Sequence, residues 1–139
     1  MYGTFEHPAD IGIYGDGKTI EESFKEIAKA LFSVEVELKD VKKKKNIKLK
    51  IIEETKEILL YAFLSELLAQ SDIKDMLFCD FDINIQPKNN KYALLATCYG
   101  DKKNKTKAEI KTEVKAITFS QLEIIETKTK IISRCIVDV

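Results

Sequence analysis

The feature that most constrains this chain is a change of hydrophobic period at about residue 76. Before it, Ile20, Phe24, Ile27, Ala28, Leu31 and Phe32 recur at three- and four-residue intervals, as do Ile58, Leu59, Ala62, Phe63, Leu67 and Leu68. That spacing gives each segment one apolar helical face. It predicts helices from Thr19 to about Val34 and from about Thr55 to Ser71. Beyond it, Cys79, Phe81, Ile83 and Ile85 alternate with Asp80, Asp82, Asn84 and Gln86, the period of a strand with one buried face. The stretches YALLATCYG, EIKTEVKAITF, LEIIETK and KIISRCIVDV read as further strands with short polar connections. Two helices on mostly antiparallel β-sheet make an α+β fold. At 139 residues, with neither repeat nor linker, it is a single compact domain over 1–139.

Local signals sharpen the N-terminal half. YGTFEHP and IGIYG read as two short strands, and Asp16-Gly17 suits a tight turn with positive φ. Thr19-Ile20-Glu21-Glu22 is a capping box, in which a hydroxyl and a carboxylate satisfy free N–H groups at the helix start. NIKLKII, after a lysine-rich loop, alternates as an edge strand would.

Composition narrows the function classes. Lys+Arg and Asp+Glu both total 23, so bulk charge points to neither nucleic acid nor membrane. Cys79, Cys98 and Cys135 are odd in number and lack C-x-x-C spacing, which argues against a disulfide framework or zinc knuckle and for a reduced, cytoplasmic compartment. No apolar stretch approaches membrane-spanning length, so no membrane partner is expected. There is one histidine, and no G-x-S-x-G, H-E-x-x-H or P-loop motif. The chain reads as non-catalytic.

Four groups of residues remain as candidates. The basic runs 39–50 and 101–115 could contact phosphates, although no aromatic residues interleave in the first to stack bases, and solvated loops use lysine freely. Asp80 and Asp82 share a strand face and could reach one cation, or could simply be the polar side of that strand. In the stretch Glu6-His7-Pro8-Ala9-Asp10, Pro8 keeps His7 extended, so Glu6 and His7 point to opposite faces. Asp10 is either a turn-capping residue or a ligand. At the far end, Asp138 stands next to Val139, whose carboxylate lies within reach. Carboxylates converging there would need a cation between them, and oxygen donors select Ca²⁺ or Mg²⁺.

Across its length the chain resembles the archease family. Glu6-His7-Pro8-Ala9-Asp10-Ile11-Gly12-Ile13 matches that family's opening Glu-His-Thr-Ala-Asp and apolar/Gly pair. Gly17 to Glu22, Ala30-Leu31-Phe32-Ser33, Ser65 to Leu68, Leu77 to Phe81, Glu113 to Ser120 and Ile136-Val137-Asp138-Val139 follow in family order. Pro8 stands where the family has Thr, and Phe119-Ser120 where it has Tyr-His. The resemblance implies a partner protein of the RtcB-type RNA ligase of tRNA splicing, promoting its guanylylation with GTP and its repeated turnover. Association with tRNA would then be indirect. It also implies a divalent-cation site at Asp10, Asp138 and Val139, with Ca²⁺ as the first expectation and Mg²⁺ the alternative. A chaperone or adaptor for RNA-modifying enzymes, or a small RNA-binding module, are the rival roles.

Overall fold

The computed structural model describes residues 1–139. Strands β1 (Tyr2–His7) and β2 (Asp10–Gly17) form an antiparallel hairpin that closes with His7 opposite Asp10. The two turn residues are Pro8 and Ala9, and Ala9 has φ 63°. Proline fixes a negative φ at the first turn position, so the reversal falls on Ala9, where a left-handed residue is required. After α1 (Ile20–Glu35) come β3 (Lys45–Glu53), α2 (Lys56–Lys74), β4 (Met76–Lys88) and β5 (Lys91–Lys102). Short β6 (Ala116–Ile117) and β7 (Glu123–Glu126) precede β8 (Ile131–Asp138). The α+β prediction holds.

The strands make two sheets, antiparallel at every pairing. The first runs β1-β2-β8, with β6 and β7 sharing the other edge of β8; the second runs β3-β5-β4. A two-residue turn, Asn89-Asn90, joins β4 to β5 with both φ values positive (50° and 62°), the signature of the hairpin turn that matches strand twist.

Both helices start on a threonine. Thr19 Oγ1 accepts the Glu22 N–H at 3.1 Å, and Thr55 Oγ1 accepts the Ile58 N–H at 3.1 Å. The Glu22 carboxylate reaches one residue further back than a standard capping box, taking the Lys18 N–H at 2.6 Å. Helix α1 packs closely on β2 because Gly15 passes beneath Glu26 and Ile27, where any Cβ would strike helix backbone. Its other contacts reach the second sheet: Phe32 meets Phe78 edge-on at 5.5 Å between centroids. Phe63 of α2 stacks on Phe24 at 6.1 Å and meets Phe81 edge-on at 6.4 Å. These rings are buried completely and join one core fed by both helices and both sheets.

Two local expectations are corrected. EIKTEVKAITF is not a strand: only Ala116 and Ile117 pair, and residues 107–115 have no regular structure. The alternation there is not burial, since Ile110 is exposed while Val114 is buried. The backbone bonds instead go to the end of α1: the Lys111 N–H donates to the Glu35 carbonyl at 2.7 Å and the Val114 N–H to Glu35 Oε2 at 3.1 Å. Gly17 also lacks the predicted positive φ; no glycine has one. It is needed for space, because a side chain there would collide with Glu22.

Glu35 gives the first testable consequence. Burial pushes its carboxyl pKa above the ordinary 4.5, outweighing the Val114 N–H bond that favours the charged form. The native state therefore holds that proton more tightly than the unfolded chain, so stability falls as pH rises from 4.5 through the raised value. Glu35→Gln keeps an acceptor for Val114 but does not ionise. Its urea-unfolding stability relative to wild type should increase as pH rises from 4.5 through the raised value and then level off; a difference independent of pH would refute this account. Glu35→Ala, which leaves the Val114 N–H unpaired, should lose about 1–3 kcal/mol.

Candidate functional site

The N-terminal cluster and the end of β8 meet at one end of the first sheet. Strands β2 and β8 pair with Ile11 opposite Val137 and Ile13 opposite Cys135. One step further along the same register, Asp10 and Asp138 are neighbours. Alternation sets Val137, Cys135 and Ser133 inward, all buried, and turns Asp138 to the opposite face, exposed. Asp10 shares that outer face, as does His7, its partner on β1. Glu6 points the other way, as Pro8 dictates. Val139 returns inward, with its side chain against the core.

Neither aspartate side chain makes a hydrogen bond within the chain. The Asp10 carboxylate accepts no hydrogen bond, so it does not cap the turn; His7 Nδ1 lies 3.9 Å from its Oδ2. That is too long for a hydrogen bond, and His7 Nδ1 is buried without any partner. The Asp138 side chain is likewise unengaged, while its carbonyl accepts the Lys115 N–H at 2.8 Å and its backbone pairs with Ala116. An open groove of about 690 Å³ runs beside the hairpin, lined by Thr4, Glu6, His7, Pro8 and Asp10 among others. The carboxylate oxygens facing out here could serve a hard cation, to which the His7 imidazole beside them adds no oxygen donor. They form no cluster of three or more His, Cys, Asp or Glu side chains, so most of such an ion's oxygen shell would come from elsewhere.

Asp80 and Asp82 are occupied. Asp80 faces Lys43 at 2.7 Å, Lys25 at 3.5 Å and Lys29 at 3.9 Å. Burial pushes its pKa up, but the Lys43 hydrogen bond, the Phe81 N–H and the lysine charges outweigh it and hold the carboxylate below the usual range. Asp82 accepts the Tyr99 hydroxyl at 2.7 Å. These are the polar side of the strand, not a cation site. Burial pushes the Cys98 and Cys135 thiols up to about 12, so neither is a nucleophile. No helix is long and apolar enough to cross a membrane.

Residues 2–139 match the model of the Archease protein family (MTH1598/TM1083). The chain belongs to the archease family. It is 46% identical to the protein archease of Pyrococcus furiosus over 120 residues, covering 86% of this chain and 84% of that one. The solution structure of Methanobacterium thermoautotrophicum protein 1598 superposes with TM-score 0.88 at 32% identity, over 99% of this chain and 98% of that one. A Thermotoga maritima archease, described as a possible chaperone, shares the fold: TM-score 0.62, 18% identity, 97% of this chain and 94% of that one. Of the two departures from the archease pattern, Pro8 is absorbed by the hairpin turn. Phe119 is 60% exposed and stacks on Tyr61 at 4.1 Å, and Ser120 contributes its carbonyl to the Ile136 N–H.

Because Asp10 and Asp138 support nothing else in the chain, Asp10→Ala and Asp138→Ala should each change the free energy of unfolding by no more than about 0.5 kcal/mol. Chemical denaturation measures this. A loss above about 1.5 kcal/mol in either variant would reveal a structural role and remove that residue from the candidate site.

Proposed function

We propose that this archease activates an RtcB-type tRNA-splicing RNA ligase, promoting its guanylylation with GTP and its multiple turnover, without being an enzyme itself. Membership of the family supports this, together with the antiparallel register that makes Asp10 and Asp138 neighbours on an outward face. Asp10, Asp138 and the carboxylate at Val139 would hold a divalent cation, Ca²⁺ before Mg²⁺. Two aspartates and one further carboxylate leave part of the roughly 6–8 oxygen positions of Ca²⁺ for water or for the ligase. A cation held there would supply positive charge beside a triphosphate, and positioning with charge neutralisation is what phosphoryl transfer asks of a protein. In this reading the chain contributes placement: the β2–β8 register sets Asp10 and Asp138 side by side, and the Pro8-Ala9 turn closes the hairpin immediately before Asp10. The setting would be cytoplasmic, and contact with tRNA would pass through the ligase.

A second reading, chaperone or adaptor for RNA-modifying enzymes, draws on the description of the Thermotoga maritima protein as a possible chaperone. It predicts protection of several client proteins from aggregation, undiminished by Asp10→Ala.

A time course of ligase guanylylation by GTP separates the two. This protein should accelerate the reaction and allow repeated turnover. Asp10→Ala and Asp138→Ala should lose at least the roughly tenfold that changes even behind a ligand produce at metal sites. Residues appended after Val139 should impair stimulation more than residues added before Met1. Absent stimulation, or full stimulation by both variants, would end the proposal.

A further inference from the structure

The two basic runs, 39–50 and 101–115, are distant in sequence but form one pocket. Lys39, Lys42 and Lys44 line it from the stretch leading into β3, and Lys105 and Lys107 from the stretch leaving β5. Its volume is about 360 Å³, and no apolar or aromatic side chain lines it. The walls are tied together: Thr106 Oγ1 donates to the Asp40 carbonyl at 2.8 Å and accepts the Ala108 N–H at 3.2 Å, and the Lys44 N–H donates to the Gly100 carbonyl at 3.0 Å.

Lysine runs are ordinarily solvated faces, and within these same two runs Lys43, Lys103 and Lys111 are balanced by neighbouring carboxylates. Lys25, Lys29, Lys43, Lys56, Lys103, Lys111 and Lys130 each have a carboxylate within 4 Å. None of the five pocket lysines does. The acidic groups beside them are Asp40 and Asp101, and Asp101 is 7% exposed with Oδ1 taken by the Lys102 N–H at 2.9 Å. Five lysines around one concavity outnumber the two aspartates that line it, and an anion bound among them relieves the repulsion between their ammonium groups.

We infer that this pocket binds the clustered phosphates of a di- or triphosphate group. Concavity decides between anions. Phosphodiesters are spaced along a strand and suit a stripe of lysines with aromatic platforms, whereas converging ammonium groups with no stacking surface suit dense charge at one point. The site is separate from Asp10 and Asp138 and does not depend on their proposed role.

Isothermal titration of the whole protein with inorganic tripolyphosphate at low salt tests this. Saturable binding is expected, weakened by added salt. The double variant Lys42→Glu/Lys105→Glu should bind at least about tenfold more weakly, because each change turns an attraction into a repulsion. The milder Lys42→Gln/Lys105→Gln should fall between. Lys88→Glu/Lys91→Glu, which alters net charge equally at the β4–β5 turn, should bind as wild type. The inference is overturned if tripolyphosphate does not saturate, or if the control pair weakens binding as much. Tighter binding of a single-stranded oligoribonucleotide bearing a 5′-hydroxyl would also overturn it, by assigning the lysines to backbone phosphates.

Discussion

Strand β8 is the piece on which the rest of this fold leans. One edge carries β2 and the other carries both β6 and β7, so losing its register would disconnect the whole first sheet. Three observations hold that register. Ser133, Cys135 and Val137 are buried on one face, and a one-residue slip would turn Arg134 and Asp138 into the core. Ser23 of α1 donates its hydroxyl to the Ile20 carbonyl at 2.9 Å, so the buried Ser133 hydroxyl, 2.9 Å away, donates to Ser23 Oγ. The Asp138 carbonyl, at the far end, accepts the Lys115 N–H. The place of Asp138 beside Asp10 therefore follows from hydrophobic burial and needs no ion to set it.

The segment between β5 and β6 has the opposite character. It forms no ladder, yet Thr106 joins it to Asp40, Glu35 receives Lys111 and Val114, and Lys115 leads it into the end of β8. It thus runs from the basic pocket to the acidic end of the first sheet. A chain with equal numbers of acidic and basic side chains keeps these two charged regions apart, and this strap spans them. The buried Glu35 carboxylate is what ties its middle down, at the cost of desolvating a charge.

Much of this was readable from residues alone, for reasons that are local. Both helices have an uninterrupted apolar stripe and a threonine cap, so their starts fall within a residue of expectation. β4 and β5 alternate cleanly over a dozen residues each, apart from the bulge at Cys79. The misreadings arise where a local pattern lacks its usual cause. In 107–115 the alternation of apolar and charged residues has no partner strand to serve. At Gly17 the small residue answers a steric demand from Glu22, not a turn that needs positive φ. The residues alone raised Asp10, in the Glu6–Asp10 cluster, and Asp138, beside Val139, as candidate ligands; the family resemblance joined them into one site.

Sequence by itself determined both helices and most of the strands, and the inward side of the helices, because periods of 3.6 and 2 are written in consecutive residues. Tertiary structure alone decided which charges become neighbours: Asp10 with Asp138, and Lys39, Lys42 and Lys44 with Lys105 and Lys107. Those adjacencies depend on strand register and on how the two sheets are strapped together. Both are set by burial summed over the whole core, a quantity no short stretch of chain contains.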